Sequence, residues 1–145
     1  MSFGTFSYPM PVNEPVLSYG PGTVEKKRLK EVLAELKKQE VDIPMYIGKE
    51  VRTNNKKAIR PPHDTKHVLG YFHAGEEKHV HLAIETALAA KQSWADTSWE
   101  ERAGIFLKAA DLLATKYRPY INGVTMLGQS KTVFQAEIDA AERRD

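Results

Sequence analysis

The second half of the sequence repeats the period of the α-helix almost without a break. From Glu76 onward, apolar residues recur at spacings of three and four, and charged residues fill most positions between them. We predict two long helices here, and the apolar stripe of the second is expected to be buried, so that Phe106→Ala would cost roughly 3–5 kcal/mol. The first stripe holds Val80, Ala83, Ile84, Ala87, Leu88 and Trp94, and the second holds Ala103, Phe106, Leu107, Ala110, Leu113, Ala114 and Tyr117.

The ends of these helices carry recognisable signals. Ser98 is a predicted N-cap, because Glu101 follows three residues later as in a capping box. Pro119 either stops the second helix or opens the next at its first turn. That shorter helix is predicted to end near Gly128, a residue type favoured just after a helix. A last helix is predicted to begin around residues 130–132 and to carry Phe134, Ile138 and Ala141.

The first half is more irregular. Residues 1–22 contain four prolines and three glycines, which predicts an extended arm. A helix is predicted from about Thr23 to Gln39, with its apolar stripe on Leu29, Val32, Leu33 and Leu36. Residues 45–47 and 50–52 flank Gly48-Lys49, which predicts a small hairpin with a type II′ turn. Further strands are predicted at residues 58–60 and 67–72.

Charge and cysteine content exclude several classes of protein. The 21 basic and 19 acidic residues give a net charge of +2, so neither a nucleic-acid partner nor a membrane surface is indicated. With no cysteine, the chain holds no disulfide, no cysteine-based zinc site and no thiolate nucleophile. The first residues resemble neither a secretory signal nor a transit peptide, so we expect a cytoplasmic location.

No self-sufficient active site is predicted. His63 and His67 have a metal-like spacing, but Pro61-Pro62 makes a helix there improbable, and His79 and His81 point to different sides of a helix. These histidines are predicted to lie on the surface. The turn at residues 20–23 lacks the glycine patterns of a phosphate-binding loop, and no serine-nucleophile motif occurs. The predicted catalytic, cofactor-binding and metal-binding sets are therefore all none.

Four segments, in order, resemble the beginning of an aldehyde dehydrogenase. Residues 47–51 resemble the family's early "IGGxWV" hairpin. Residues 59–64, followed by Val68-Leu69-Gly70, resemble its "NPATGEVIG" segment, with Pro62-His63-Asp64 in place of "PAT". Residues 83–94 resemble the helix "AIxAAxxAxxxW", and residues 101–113 resemble the following "ERAxILxKAADLL" helix. The shared order makes the resemblance more specific than any one segment.

Residues 12–16 and 128–141 narrow the resemblance to the branch that oxidises L-glutamate γ-semialdehyde. It implies an α/β parent enzyme that uses NAD, acts on a small aldehyde in proline catabolism and assembles as a homo-oligomer. Residues 1–22 would be its N-terminal arm, and residues 23–145 would be the helical and hairpin part of an incomplete NAD-binding domain. The family's catalytic cysteine, general-base glutamate, oxyanion-hole asparagine and NAD-binding glycine motif would lie beyond this chain. The chain alone is therefore expected to be inactive.

The sequence leaves two alternatives open. The chain is either the N-terminal piece of such a dehydrogenase, whose partner is the remainder of that enzyme, or a free-standing helical interaction module derived from one. The tail Glu142-Arg143-Arg144-Asp145 is charged where the family continues with an apolar helix. Without a downstream sheet, the apolar stripes must pair with each other or with a second copy, or remain exposed.

Overall fold

The computed structural model describes residues 14–142, which form five helices and five short strands. This mostly helical fold with a short extended arm and a small β element agrees with the prediction. Residues 1–13 of the predicted arm and residues 143–145 of the tail lie outside the described range. The helices are α1 (Val24–Leu36), α2 (Glu77–Asp96), α3 (Trp99–Ala114), α4 (Arg118–Gln129) and α5 (Val133–Glu142); the strands are β1 (Val41–Ile43), β2 (Met45–Ile47), β3 (Lys49–Val51), β4 (Lys56–Ile59) and β5 (Gly70–His73).

The hydrophobic core lies between the arm, α1, α4 and α5. Its buried apolar residues are Tyr19, Leu29, Val32, Leu127 and Ala136. At the crossing of α1 and α4, Gly123 lies so close to α1 that a Cβ there would be 3.3 Å from Val32 Cγ1. The glycine therefore allows the two helices to approach closely. The α1 prediction is confirmed, although the helix ends three residues before Gln39, at Leu36.

The strands form two small sheets. In the first, β5 lies in the middle, parallel to β1 and antiparallel to β4. In the second, β2 and β3 form the predicted hairpin, but it is tighter than expected because Ile47 pairs with Lys49 and only Gly48, at φ +68°, separates them. The predicted strands at residues 58–60 and 67–72 are displaced to 56–59 and 70–73, and β1 was not predicted.

The helix-end predictions have mixed outcomes. Ser98 caps α3, since its hydroxyl accepts a hydrogen bond from the Glu101 N–H at 3.2 Å. Pro119 lies in the first turn of α4, as predicted. The predicted end near Gly128 is confirmed to within one residue, since α4 ends at Gln129, but the left-handed residue that follows the helix is Ser130, at φ 55°, and not Gly128. Among residues 14–142 no helix is long and apolar enough to cross a membrane.

The prediction that the α3 stripe is buried is wrong. Phe106 is 67% exposed, Leu107 and Leu113 are also exposed, and α3 has no buried residue. The helical spacing of the apolar residues correctly predicted the position of α3 and its apolar side. Burial depends on what packs against that side, and no described residue buries the large side chains Phe106, Leu107 and Leu113.

Because Phe106 is exposed, truncating its side chain should destabilise the chain much less than the sequence predicted. In this chain, Phe106→Ala should lower the free energy of unfolding by less than about 0.5 kcal/mol, because an exposed side chain loses little on truncation. Leu127→Ala is the matched control: Leu127 is buried in α4, and its truncation should cost roughly 2–5 kcal/mol. Urea titrations of both variants at low protein concentration measure the difference, and equal losses would contradict the observed exposure.

Candidate functional site

A buried carboxylate organises the helical half of the molecule. Glu137 lies on α5, and its side chain is completely inaccessible to solvent. An ionised carboxylate in such a place is costly unless donors surround it. Glu137 receives donors from α4 and from the arm, so it is the most densely bonded side chain in the described residues.

Helix α4 supplies two of these donors from one face. Arg118 and Asn122 are four residues apart, so their side chains lie on the same side of the helix. The Arg118 guanidinium donates to both carboxylate oxygens of Glu137, through Nη2 to Oε1 and through Nε to Oε2. Asn122 Nδ2 donates to Oε2 at 2.7 Å. Arg118 and Asn122 are both buried, so the ion pair between Arg118 and Glu137 lies inside the molecule.

The arm supplies the remaining donors. The Leu17 N–H donates to Glu137 Oε1 at 2.7 Å, and the Tyr19 hydroxyl donates to Oε2 at 2.7 Å. Arg118 Nη2 in turn donates to the Pro15 carbonyl at 2.8 Å. Glu137 and Leu17 are 120 positions apart in sequence. The cluster thus joins the arm to α4 and α5.

The protonation states of the cluster follow from these contacts. Burial by itself raises the pKa of Glu137, but the hydrogen bonds from Arg118, Leu17, Asn122 and Tyr19 outweigh it and hold the pKa below its ordinary value. Burial also raises the pKa of Tyr19, and its bond to Glu137 adds to the rise. At neutral pH Glu137 is therefore ionised and Tyr19 protonated. This arrangement suits a structural anchor, because a carboxylate saturated by donors is a weak proton acceptor.

A second polar cluster surrounds His73 on the central strand β5. His73 is buried, and its Nε2 lies 3.2 Å from Asp42 Oδ1 on β1. Lys56 on β4 donates to Asp42 Oδ1 at 2.9 Å, and Arg52 forms an ion pair with the other oxygen. The hydrogen bond from Lys56 is the main reason that the pKa of Asp42 is lowered. This cluster links all three strands of the first sheet.

The structure brings His63 and Ser130 together, a pairing that the sequence did not predict. His63 Nδ1 lies 2.7 Å from Ser130 Oγ, and both residues are exposed. A serine–histidine pair can form a nucleophile, but Ser130 follows the C-terminal end of α4. The carbonyl end of a helix disfavours the negative charge that develops in acyl transfer. We therefore assign this pair no catalytic role.

The prediction of surface histidines holds for only part of the set. His63 and His81 are exposed and His67 is half-buried, whereas His79 is buried, as is His73. His79 forms a reciprocal capping box at the start of α2: its Nδ1 accepts from the Glu76 N–H at 2.9 Å, and the Glu76 side chain accepts from the His79 backbone. In residues 14–142 no three potential ligands converge as a metal site would require.

The turn at residues 20–23 precedes α1 without forming an anion site. There, Thr23 Oγ1 donates to the Gly20 carbonyl at 3.0 Å and does not cap α1. Pro21 has no N–H to offer. This turn therefore lacks the free donors that a phosphate-binding turn offers.

The Glu137 cluster was missed, although the sequence carries a faint signal for it. Arg118, Asn122 and Thr125 recur at helical spacing on α4, and all three are buried. A polar stripe with that spacing on an otherwise apolar helix indicates an internal network. The partners that complete it lie far away in sequence, so the stripe alone could not identify them.

Comparison with known proteins gives consistent matches. The model of the aldehyde dehydrogenase family matches residues 50–144. Delta-1-pyrroline-5-carboxylate dehydrogenase of Agaricus bisporus is 48% identical over 139 residues, which is 94% of this chain and 26% of the relative. The mitochondrial enzyme of the same name from Dictyostelium discoideum is 44% identical over 140 residues, covering 96% of this chain and 25% of the relative.

The fold gives the same result. The Delta-pyrroline-5-carboxylate dehydrogenase of Mycobacterium tuberculosis, in a structure with bound NAD, is 39% identical with a TM-score of 0.92. The match covers 97% of this chain and 26% of that one. The chain therefore spans about a quarter of the length of the relatives it matches.

Proposed function

The chain belongs to the aldehyde dehydrogenase family, and we propose that it is the N-terminal part of an enzyme that oxidises L-glutamate γ-semialdehyde to L-glutamate with NAD. The main support for this proposal is the 44–48% identity to Delta-1-pyrroline-5-carboxylate dehydrogenases over nearly the whole chain. The semialdehyde is the open form of Δ1-pyrroline-5-carboxylate, so the reaction belongs to proline catabolism. A solved relative with bound NAD supports the choice of cofactor.

In this proposal the chain supplies structural elements, and the remainder of the dehydrogenase supplies the catalytic residues. Aldehyde oxidation in the family proceeds through attack of a cysteine thiolate on the aldehyde, and this chain has no cysteine. Residues 1–22 would serve as the arm and residues 23–145 as the helical and hairpin part of the NAD-binding domain. The Glu137 cluster supports such a division, since it attaches the arm to α4 and α5.

Location and assembly are further parts of the proposal. We propose a cytoplasmic enzyme that forms a homo-oligomer, with no nucleic-acid or membrane partner. Relatives from Dictyostelium discoideum and Emericella nidulans are named mitochondrial, so the compartment needs a direct test. Microscopy of the chain fused to a fluorescent protein in its own host would distinguish the two locations.

The purified chain alone should produce no NADH from glutamate semialdehyde and NAD. The physical reason is the missing thiolate, which no other side chain of this sequence replaces. Absorbance of NADH, in a preparation free of host dehydrogenases, is the measurement. Steady NADH formation by the pure chain would contradict the prediction.

Complementation tests the function itself. The Agaricus bisporus relative, lacking the quarter that this chain matches, would be co-expressed with this chain and separately without it. The proposal expects NADH formation from glutamate semialdehyde only when both parts are present. A full-length relative is the positive control. No restored rate, with both parts folded and associated, would contradict the proposed function and favour the free-standing interaction module.

A further inference from the structure

Helix α4 contains the pair Asn122-Gly123, and asparagine followed by glycine is the pair that deamidates most readily in peptides. The main-chain nitrogen of the glycine attacks the side-chain amide carbon of the asparagine, and the glycine has no side chain to hinder the approach. The carbon–nitrogen bond of the amide breaks, ammonia leaves with the proton of the glycine N–H, and a succinimide ring remains. Water then opens the ring to aspartate or to isoaspartate, so the net reaction consumes water and releases ammonia without any oxidant.

Two separate structural requirements place these residues side by side. Asn122 is fully buried, and its Nδ2 donates to Glu137 Oε2 and to the Tyr19 hydroxyl oxygen, both at 2.7 Å. Gly123 lies against α1, where a Cβ would be 2.9 Å from Leu36 Cδ1. Any side chain at position 123 would therefore displace the α1 side chains that fill this space. The fold needs asparagine for the Glu137 cluster and glycine for the helix crossing, and the reactive pair is the consequence.

The folded chain keeps both reacting groups from the reaction. Inside an α-helix each N–H donates to the carbonyl four residues earlier, so this bond engages the Gly123 nitrogen. Ring closure also requires the main chain at Asn122 to leave its helical dihedral angles. The side-chain amide of Asn122 is held by its two hydrogen bonds and is inaccessible to solvent. Unfolding removes all of these restraints together.

The product of the reaction cannot rebuild the Glu137 cluster. An aspartate at position 122 replaces the Nδ2 donor with an oxygen, so a second carboxylate would face Glu137 Oε2. Arg118 already donates to both oxygens of Glu137. The Oδ1 atom of Asn122 is buried and has no hydrogen-bond partner among the described residues, so the new carboxylate would find no donor on that side either. Two buried carboxylates in contact are strongly unfavourable unless one takes up a proton. Isoaspartate adds a methylene to the main chain, which disrupts the helical hydrogen bonds.

We propose that Asn122-Gly123 is a site of spontaneous deamidation that is exposed only when the chain unfolds, and that the deamidated chain cannot regain the original fold. Every group that protects the site lies within residues 14–142 of this chain. Asn122 is therefore inaccessible whether the chain is free or joined to the remainder of a dehydrogenase. The proposal does not depend on the enzymatic one.

Peptide mass spectrometry of the full chain, incubated in buffer and in urea, tests the first half of the proposal. Both solutions are prepared with water enriched in heavy oxygen, which labels only the product formed during the incubation and not during digestion. Asn54 and Asn55 are the matched controls, since both are exposed and neither precedes glycine. In urea, Asn122 should react fastest of the three. In buffer, Asn122 should react at least about 100-fold more slowly than in urea, whereas the two controls change little.

The rate at Asn122 in buffer should also follow the population of unfolded chain. Leu127→Ala removes a buried side chain, so it should raise this rate by the same factor as it raises the equilibrium constant for unfolding. Phe106→Ala is the matched control, because Phe106 is exposed on α3, and it should leave the rate unchanged.

Urea titration of Asn122→Asp tests the second half. This substitution should raise the equilibrium constant for unfolding at least about 100-fold at neutral pH, whereas Asn54→Asp, in an exposed loop, should leave it unchanged. Asn122→Leu removes the same donor without adding a charge and should lose less stability than Asn122→Asp. This comparison decides even if Asn122→Asp does not fold.

Three outcomes would overturn the proposal. One is deamidation of Asn122 in buffer as fast as in urea. Another is a rate in Leu127→Ala that does not exceed the rate in Phe106→Ala. The third is an Asn122→Asp variant that is as stable as the original chain or as Asn122→Leu. Each is independent of NADH formation, so failure here leaves the enzymatic proposal intact.

Discussion

Glu137→Ala should lower the free energy of unfolding by about 3–5 kcal/mol, the range expected when one partner of a buried ion pair is removed. The substitution leaves Arg118 buried without its carboxylate and removes the acceptor of Leu17, Tyr19 and Asn122. Urea titration followed by circular dichroism measures the loss. Glu31→Ala is the matched control, because Glu31 pairs with Arg28 on the exposed side of α1 and should cost less than about 1 kcal/mol.

A double substitution separates the effect of the buried charge on stability from the effect of packing. Glu137→Leu combined with Arg118→Met removes both charges and keeps apolar volume, so it should recover a large part of the loss that Glu137→Ala causes. The arm would still lose its bonds to the cluster, and its amides at Leu17 and Tyr19 should exchange faster. A double variant that is as unstable as Glu137→Ala would show that burial of a lone charge is not the main cost.

The Glu137 cluster should also make the free energy of unfolding depend on pH, with less stability at acidic pH. The pKa of Glu137 is held below its ordinary value of 4.5 in the folded chain. Its contribution is therefore fully present above the unfolded pKa and is lost as the pH falls through the folded pKa. The stability difference between the original chain and Glu137→Gln should be constant at neutral pH and shrink below about pH 4.5. If the stability difference between the two chains stayed constant down to about pH 2, the lowered pKa of Glu137 would be contradicted.

Local rules predicted the helices well because the signals lie within one or two turns. Ser98 and Glu101 are three residues apart, and Pro119 acts on its own turn, so neither needs knowledge of the rest of the fold. The end of α4 was predicted to within one residue, but the residue that caps it was not. Gly128 is the residue type favoured after a helix, but Ser130 adopts the left-handed conformation with its hydroxyl beside His63, a contact across 67 positions.

Burial and the candidate site required information that no local pattern holds. The α2 and α3 stripes have the spacing of core helices, yet among the described residues α3 has no buried side chain and α2 has only His79. In the sequence, Glu137 resembles any other charge on a C-terminal helix, whereas it is fully buried because a segment near residue 17 reaches it. Strand β1 was missed since three residues give too short a pattern, and its pairing partner β5 is distant in sequence.

Gly70→Ala should destabilise the chain by about 3 kcal/mol, because it places a methyl group inside the central strand pairing. Gly70 begins β5 and pairs with Val41 on one side and Ile59 on the other. A Cβ at Gly70 would lie 2.1 Å from the Val41 carbonyl oxygen and 2.8 Å from the Val41 nitrogen. These are backbone atoms that cannot turn aside as a side chain can. Relief therefore requires β1 to separate from β5.

Gly104→Ala provides a control of opposite sign. Gly104 lies inside α3, and a Cβ there would meet nothing within 4 Å. Alanine in an open helical position should stabilise the chain by about 0.5–1 kcal/mol, since it restricts the unfolded state and favours the helix. Urea titrations of both variants, with hydrogen exchange at Val41 and Ile43, give the comparison. If Gly70→Ala were as stable as the original chain and kept its β1 amides protected, the close approach of β1 to β5 would be wrong. The position of Asp42 beside His73 would then fail with it, because both depend on that register.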